Sequence, residues 1–268
     1  MSLAAAYTRS VLRNRSLWFW GVVFMAFWFV LGAYVFSSGL ATTPAAMVGY
    51  TASWYAVIAL FSLTTLSMGI VVSITYGTSA LAYGFRFTRL TPTGFVLSLI
   101  AAAVAMGTLL TLLMTGIVSG LFSAHFGFAI VPANVPAIVG ISVLAGAFMM
   151  GLATVLVLVV VNHLGLRNIS FLEFVPLILS YIFGFAQLFQ SLPTWVLYLS
   201  PWNDLESLLY QGFSGSAATV VLSNSSTPIL SWPISTLCLV GWIVLLVGVA
   251  SVLLGRIRAV SFQEGRQI

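Results

Sequence analysis

The sequence contains no lysine and a single cysteine, Cys238. Charge of either sign is scarce. Nine arginines and four acids make up 5% of 268 residues, against 61% hydrophobic. A soluble domain carries roughly 25% charged residues because its surface faces water. Charge this thin cannot coat a globule, so soluble enzymes and nucleic-acid-binding proteins are poor readings despite the net charge of +5. A mean hydropathy of +1.14 points to lipid, where each segment must satisfy its own backbone as helix. One cysteine excludes an internal disulfide, and Cys238, in an apolar run, reads as a buried, inert thiol.

Catalytic signatures are also missing. There is no H-E-x-x-H, no G-x-S-x-G and no glycine-rich phosphate loop followed by lysine. His125 and His163 fall in different loops, on opposite sides by the topology below, and cannot share a metal. The chain therefore reads as a non-catalytic membrane protein with no cofactor or metal of its own.

Gaps in the charge mark the spans. No charge occurs between Arg15 and Arg86, or between Arg89 and Arg167, and each gap has room for two spans of about 20 residues plus a turn. Turn residues fall where needed, at Ser37 to Pro44 and at Ser123 to Pro136. The expected fold is all-α and integral to the membrane. It has six transmembrane helices over 17–36, 51–75, 94–122, 136–161, 171–190 and 233–255. Arg9, Arg13 and Arg15 before the first apolar run resemble the start of a signal peptide, but that run is too long for one and reads as a retained span. Residues 191–232 form a re-entrant or semi-polar external segment before the last span.

All nine arginines fall before span 1, between spans 2 and 3, between spans 4 and 5, or after span 6. The alternate loops contain none, so the arginine side is cytoplasmic, as are both termini. Asp204 and Glu206 then fall outside, and no ionisable group lies near a membrane midplane. A carrier coupled to protons is therefore not expected. Asn224-Ser225-Ser226 forms an external glycosylation sequon, with Asn224 as the acceptor, whereas Asn168 faces the cytoplasm. Arg167 and Glu173 read as an interfacial ion pair. Trp18, Trp20, Trp54, Trp195, Trp202 and Trp232 lie near predicted ends, as interfacial anchors do. Residues 3–16 repeat Leu3, Tyr7 and Val11 on one face with Arg9 and Arg13 on another, the pattern of a short helix lying on the inner leaflet.

Two kinds of helix face remain. Ser62, Thr65, Gly69 and Ser73 in span 2, and Gly116 and Gly120 in span 3, are small-residue stripes suited to close packing. Trp20, Phe24, Phe27 and Trp28 in span 1, and Phe171, Phe174, Tyr181, Phe185 and Phe189 in span 5, are aromatic stripes. These either meet lipid and neighbouring helices or wall a path for an apolar or amphipathic solute.

Three stretches carry a resemblance. A basic amphipathic helix, Tyr7 to Arg15, feeds the first span. Tyr83-Gly84-Phe85-Arg86-Phe87-Thr88-Arg89-Leu90-Thr91-Pro92-Thr93 is similar to a G-x-x-x-x-x-L-T-P segment before a third helix. Leu192-Pro193-Thr194-Trp195-Val196-Leu197-Tyr198-Leu199-Ser200-Pro201 is similar to an L-P-x-W-L run after a fifth. Together with Arg256 and Arg258 after the last span, the chain resembles the ABC-2-type permeases, the membrane half of ATP-driven exporters. It departs from them between Ser79 and Gly84, where many members carry a glutamate.

The resemblance implies a permease subunit in the cell membrane that moves an apolar or amphipathic substrate outward. It implies pairing with a second permease copy or a similar permease, and two cytoplasmic ABC ATPase subunits that hold the ATP and Mg²⁺. Residues 76–93 would be the coupling element, a short helix contacting the ATPase through Tyr83, Phe85, Arg86, Phe87 and Arg89, with Thr91-Pro92 ending it. Trp20, Phe24, Phe27, Trp28, Phe174, Tyr181 and Phe185 would line the path. A membrane scaffold without a path, or a channel working without ATP, stays open beside this reading.

Overall fold

Two threonine–proline pairs open the two longest helices. Thr43 accepts a hydrogen bond from the Ala46 amide at 3.4 Å, and Thr91 accepts one from the Gly94 amide at 3.1 Å. Each is followed by a proline at the first helical position, where a missing N–H costs nothing. The computed structural model describes residues 3–39, 43–88, 90–160, 171–172, 174–189, 193–216 and 230–256, with backbone alone at 72–73, 75–80, 82 and 185–189. These form ten α-helices and one π-helical turn. They are α1 (Leu3–Leu12), α2 (Arg15–Trp18), the π turn (Phe19–Val23), α3 (Phe24–Tyr34), α4 (Pro44–Phe87), α5 (Pro92–Phe126), α6 (Val135–Leu158), α7 (Val175–Phe189), α8 (Thr194–Leu199), α9 (Pro201–Ser214) and α10 (Trp232–Gly255). No strand occurs among the described residues.

Among the described residues, five stretches are long and apolar enough to cross a membrane: Arg15–Tyr34, Pro44–Val71, Pro92–Phe126, Val135–Leu158 and Trp232–Gly255. The chain is therefore a helical, multi-pass membrane protein. The expected fifth span is different: its described apolar helix, α7, has 15 residues, about 22 Å at 1.5 Å per residue. That falls short of a hydrocarbon core of about 30 Å.

The second span does not stop near residue 75. α4 runs unbroken for 44 residues, and the expected separate helix over 76–93 is its C-terminal continuation. Nothing in 72–87 terminates a helix. The stop comes at Thr88, whose hydroxyl donates back to the Gly84 carbonyl. Thr91-Pro92 then starts α5, as its spacing indicates.

α4 is the middle of the molecule. From Thr51 to Val71 every residue but Trp54 is buried, enclosed by α3, α5, α6, α7 and α9. Tyr55 is fully buried, accepts a hydrogen bond from the Thr115 hydroxyl of α5 at 3.0 Å, and packs its ring on Phe213 of α9. The small-residue stripe of α4 works as expected. Ser62 donates to the Gly21 carbonyl of the π turn at 2.6 Å. A Cβ at Gly21 would lie 2.5 Å from Thr65 Oγ1. The Gly116–Gly120 stripe seats no helix among the described residues, because both positions face open space. The close approach of α5 to α6 falls at Gly146 instead, where a Cβ would sit 2.7 Å from the Ala103 carbonyl oxygen.

A second core joins Tyr7 of α1, Ile74 and Leu81 of α4, Phe95 of α5, Val157 of α6 and Leu254 of α10. It gathers the helix ends that carry Arg9, Arg13, Arg86 and Arg256, all exposed. α1 is the expected amphipathic helix, but its apolar face is covered by protein: Val11 is buried and Tyr7 meets Phe95 edge-on at 5.8 Å.

The segment after α7 holds the largest departure. α9, expected outside, is inserted among α4, α6, α7 and α10, and from Pro201 to Leu205 every residue is buried. Trp202 is a core residue, stacked on Phe183 at 5.4 Å and edge-on to Phe148 at 5.6 Å. Trp54 is likewise packed inward, over Gly32.

Candidate functional site

The residues expected to couple to a partner sit at the end of α4. Tyr83 and Phe87, one turn apart, pack ring to ring at 4.6 Å and are 63% and 69% exposed. Arg86 beside them is exposed. Phe85 points the other way and meets Phe95 edge-on at 5.9 Å, as part of the second core. Three aromatics thus divide by direction: Phe85 anchors the helix end, while Tyr83 and Phe87 flank Arg86 on the surface. Thr91 and Pro92 start α5 and hold the turn between the two helices. Arg89 lies outside the described residues, as do Asn224, Asn168, His163, Arg167 and Glu173.

The aromatic stripe of the first span is a continuous run of edge contacts. Trp20 meets Phe24 at 5.2 Å, Phe24 meets Trp28 at 6.3 Å, and Phe27 meets Trp28 at 6.3 Å. Trp20 and Phe27 are exposed, whereas Phe24 and Trp28 are half-buried. The stripe of α7 splits. Phe171, Phe174, Ile178 and Ile182 are exposed, while Tyr181 turns inward and stacks on Phe61 of α4 at 4.1 Å. The Phe185 side chain lies outside the described residues.

The π turn carries a polar crevice beside Trp20. A cavity of about 210 Å³ is lined by Asn14, Ser16, Leu17, Trp20, Thr65, Met68 and Gly69. Asn14 caps α2 by accepting from the Ser16 and Leu17 amides. π turns widen a helix by one residue and recur at functional sites. Here the turn brings the Gly21 carbonyl to Ser62 and sets Trp20 at the mouth of the crevice.

At the opposite end, His125 is not an isolated loop residue. Its Nε2 lies 3.0 Å from the Ser37 hydroxyl, and its ring packs against Tyr34 and Phe126. It joins the end of α5 to the turn after α3, a structural role.

The acids of α9 are the feature that charge counting missed. Asp204 and Glu206 are 0% and 2% exposed. Neither Asp204 oxygen has a well-formed hydrogen bond, nor does Glu206 Oε2. Two residues apart on a helix, they face different neighbours. Asp204 looks toward Ser235 and Cys238 of α10. Glu206 looks toward Gly184 of α7 and Phe61 of α4. Asn203, on the Glu206 side, donates its amide hydrogen to the Phe183 carbonyl at 3.0 Å, leaving its own oxygen without a partner. α9 has 14 residues and is not one of the spanning helices. Burial pushes Asp204 up to about 7, with the Ser235 hydroxyl offsetting part of the rise, and pushes Glu206 up to about 8. One signal was available: Ser200-Pro201 followed by Asn203-Asp204 is a helix start, and a helix with Leu205, Leu208 and Leu209 on one side needs something apolar to lie against.

No group of three or more histidine, cysteine or acidic side chains suited to a metal occurs among the described residues. No protein-family model matches the chain, and a search of curated proteins returns no significant match.

Proposed function

We propose that this chain is the permease subunit of an ATP-driven exporter, moving an apolar or amphipathic substrate outward across the cell membrane. It would work as a pair with a second permease, above two cytoplasmic ATPase subunits that hold the ATP and Mg²⁺. The observation that carries the reading is the unbroken course of α4. One helix runs from the exposed Tyr83–Arg86–Phe87 patch to the buried middle of the bundle. Aromatics beside arginine are the composition of protein interface centres, where they fill pockets and exclude water.

In this mechanism ATP binding draws the ATPases together and carries the α4 ends with them. The two permeases then rock between inward-open and outward-open arrangements. The exposed aromatic face of Trp20 and Phe27, with Phe174 just before α7, supplies apolar wall to the path between them. No catalytic side chain is needed.

The experiment replaces Tyr83 and Phe87 with alanine and leaves Phe85 in place. Transport-stimulated ATP hydrolysis and co-purification of the ATPase are then measured, with the melting temperature as a folding control. Truncating a buried interface anchor typically costs about 2 kcal/mol or more, and such losses do not simply add, so association should weaken at least about thirtyfold. Unchanged co-purification and hydrolysis would remove this patch as the coupling element.

A further inference from the structure

Asn203 and Glu206 lie one turn apart on α9, and both press on the same turn of α7. Asn203 Nδ2 donates to the Phe183 carbonyl, and Glu206 Oε2 lies 3.9 Å from where a Cβ of Gly184 would be. Each is essentially fully buried, and each carries an acceptor oxygen with no donor. The Asn203 amide orientation follows from the Phe183 carbonyl, which can only accept.

No protein cation answers these acceptors among the described residues. Among the described side chains, the titratable groups near α9 on the helices packed against it are Tyr50 and Tyr55 on α4, Tyr181 on α7, Tyr198 on α8 and Cys238 on α10, while the side chain of Tyr76 on α4 lies outside the described residues. α9 itself adds Asp204, on a different side, and Tyr210, whose hydroxyl lies near Gly49. α6 brings none. Tyr83 and Arg86 sit at the far exposed end of α4, and Arg256 follows α10.

Each acceptor left without a donor in this apolar seam is costly, and a charged carboxylate there is strongly disfavoured. A single added hydrogen neutralises the carboxylate and gives it an O–H donor on the helix face it shares with Asn203, three residues away. We infer that the α9 turn bearing Asn203 and Glu206, closed against Phe183 and Gly184 of α7, is a binding site for one exchangeable proton held by Glu206. The proton comes from solvent, the O–H bond forms on the carboxylate, and no other bond changes. When it leaves, the α7–α9 seam loosens and admits water to Gly184. The inference stands apart from the exporter reading, since it concerns only this seam.

The test uses the full chain in lipid nanodiscs with Cys238→Ser and Gly184→Cys. A side chain fits at position 184, where a Cβ meets only ordinary contacts of 3.6 Å and beyond. The rate of labelling by a small thiol reagent is compared at pH 6 and pH 9. It is divided by the rate at a surface cysteine, Ser38→Cys, to remove the thiol's own titration. The expected ratio rises about tenfold or more with pH, following the carboxyl's ionisation. It stays within about twofold once Glu206→Gln is added, and Asp204→Asn leaves the rise intact. A rise that survives Glu206→Gln, or vanishes with Asp204→Asn, overturns the assignment. Protection that depends on sodium at fixed pH overturns it as well, marking a metal-cation site. Should the 184 variant fail to fold, the infrared carbonyl band of a protonated carboxyl reads the same site. In an Asp204→Asn background it should be present at pH 6 and lost when Glu206→Gln is added, and its persistence in that double variant would sink the proposal.

Discussion

The Ser62 hydroxyl donates to the Gly21 carbonyl at 2.6 Å, joining the middle of α4 to the π turn of the first span. The contact depends on Gly21 having no side chain, because Thr65 Oγ1 occupies that space. Gly21→Ala should therefore destabilise the protein by about 1–3 kcal/mol, the usual cost of overpacking. Thr65→Ala, added to it, should restore part of the loss. Melting temperatures of the two single variants and the double variant give the coupling. Purely additive effects would place the clash elsewhere.

Gly146 makes the tightest approach between α5 and α6, against backbone that cannot move aside. Gly146→Ala should cost more than Gly116→Ala or Gly120→Ala, which face open space. The expected difference is about 2 kcal/mol or more. Comparable losses at all three positions would contradict this packing.

The aromatic residues at the end of α4 should separate in stability measurements. Phe85→Ala removes an edge contact to Phe95 inside the second core and should cost about 2–4 kcal/mol. Phe87→Ala removes a mostly exposed ring and should change stability by about 0.5 kcal/mol or less. Equal losses would show that the two rings share one environment.

Stability should fall as pH rises through the neutral range. The carboxyls of Asp204 and Glu206 are raised to about 7 and about 8 in the folded chain, above the unfolded values of about 4. The folded state then holds protons that the unfolded chain has released. The stabilisation is complete below about pH 4 and is lost as pH climbs through about 8. The melting temperature should drop by at least about 3 °C between pH 5 and pH 9. Glu206→Gln should flatten most of that slope, and a slope unchanged in Glu206→Gln and Asp204→Asn would place its origin outside α9.

Orientation can be tested at both ends with impermeant thiol reagents on intact cells. In a Cys238→Ser background, a cysteine at exposed Thr88 should react only after the membrane is opened, and one at exposed Ser38 should react directly. Direct labelling at position 88 would reverse the topology drawn from the arginines.

Much of the fold was legible because lipid solvation makes composition informative. The charge gaps bound four of the five long helices, and Thr91-Pro92 marks where α5 begins. Gly39, in the turn before α4, has the positive φ that the Ser-Ser-Gly punctuation implies. What stayed hidden depends on partners far away in the chain. Asp204 and Glu206 look like surface residues until α4, α7 and α10 close around them. Gly116 and Gly120 carry the familiar spacing, yet the helix contact uses Gly146, since only the meeting of two helices decides which glycine is needed. Tyr181 shares a period with Phe174, but α4 supplies Phe61 to one and nothing to the other. Helical spacing also says little about where a helix stops when no residue stops it, and α4 is the example.

That continuity has a mechanical consequence. A helix of 44 residues is about 66 Å long and runs without a break in its helical turns. Pivoted near its middle by about 10°, it would carry each end through about 6 Å, close to one helical pitch. The packing around Tyr55 and the surface around Phe87 are therefore opposite arms of one lever, and neither can shift far while the other stays still.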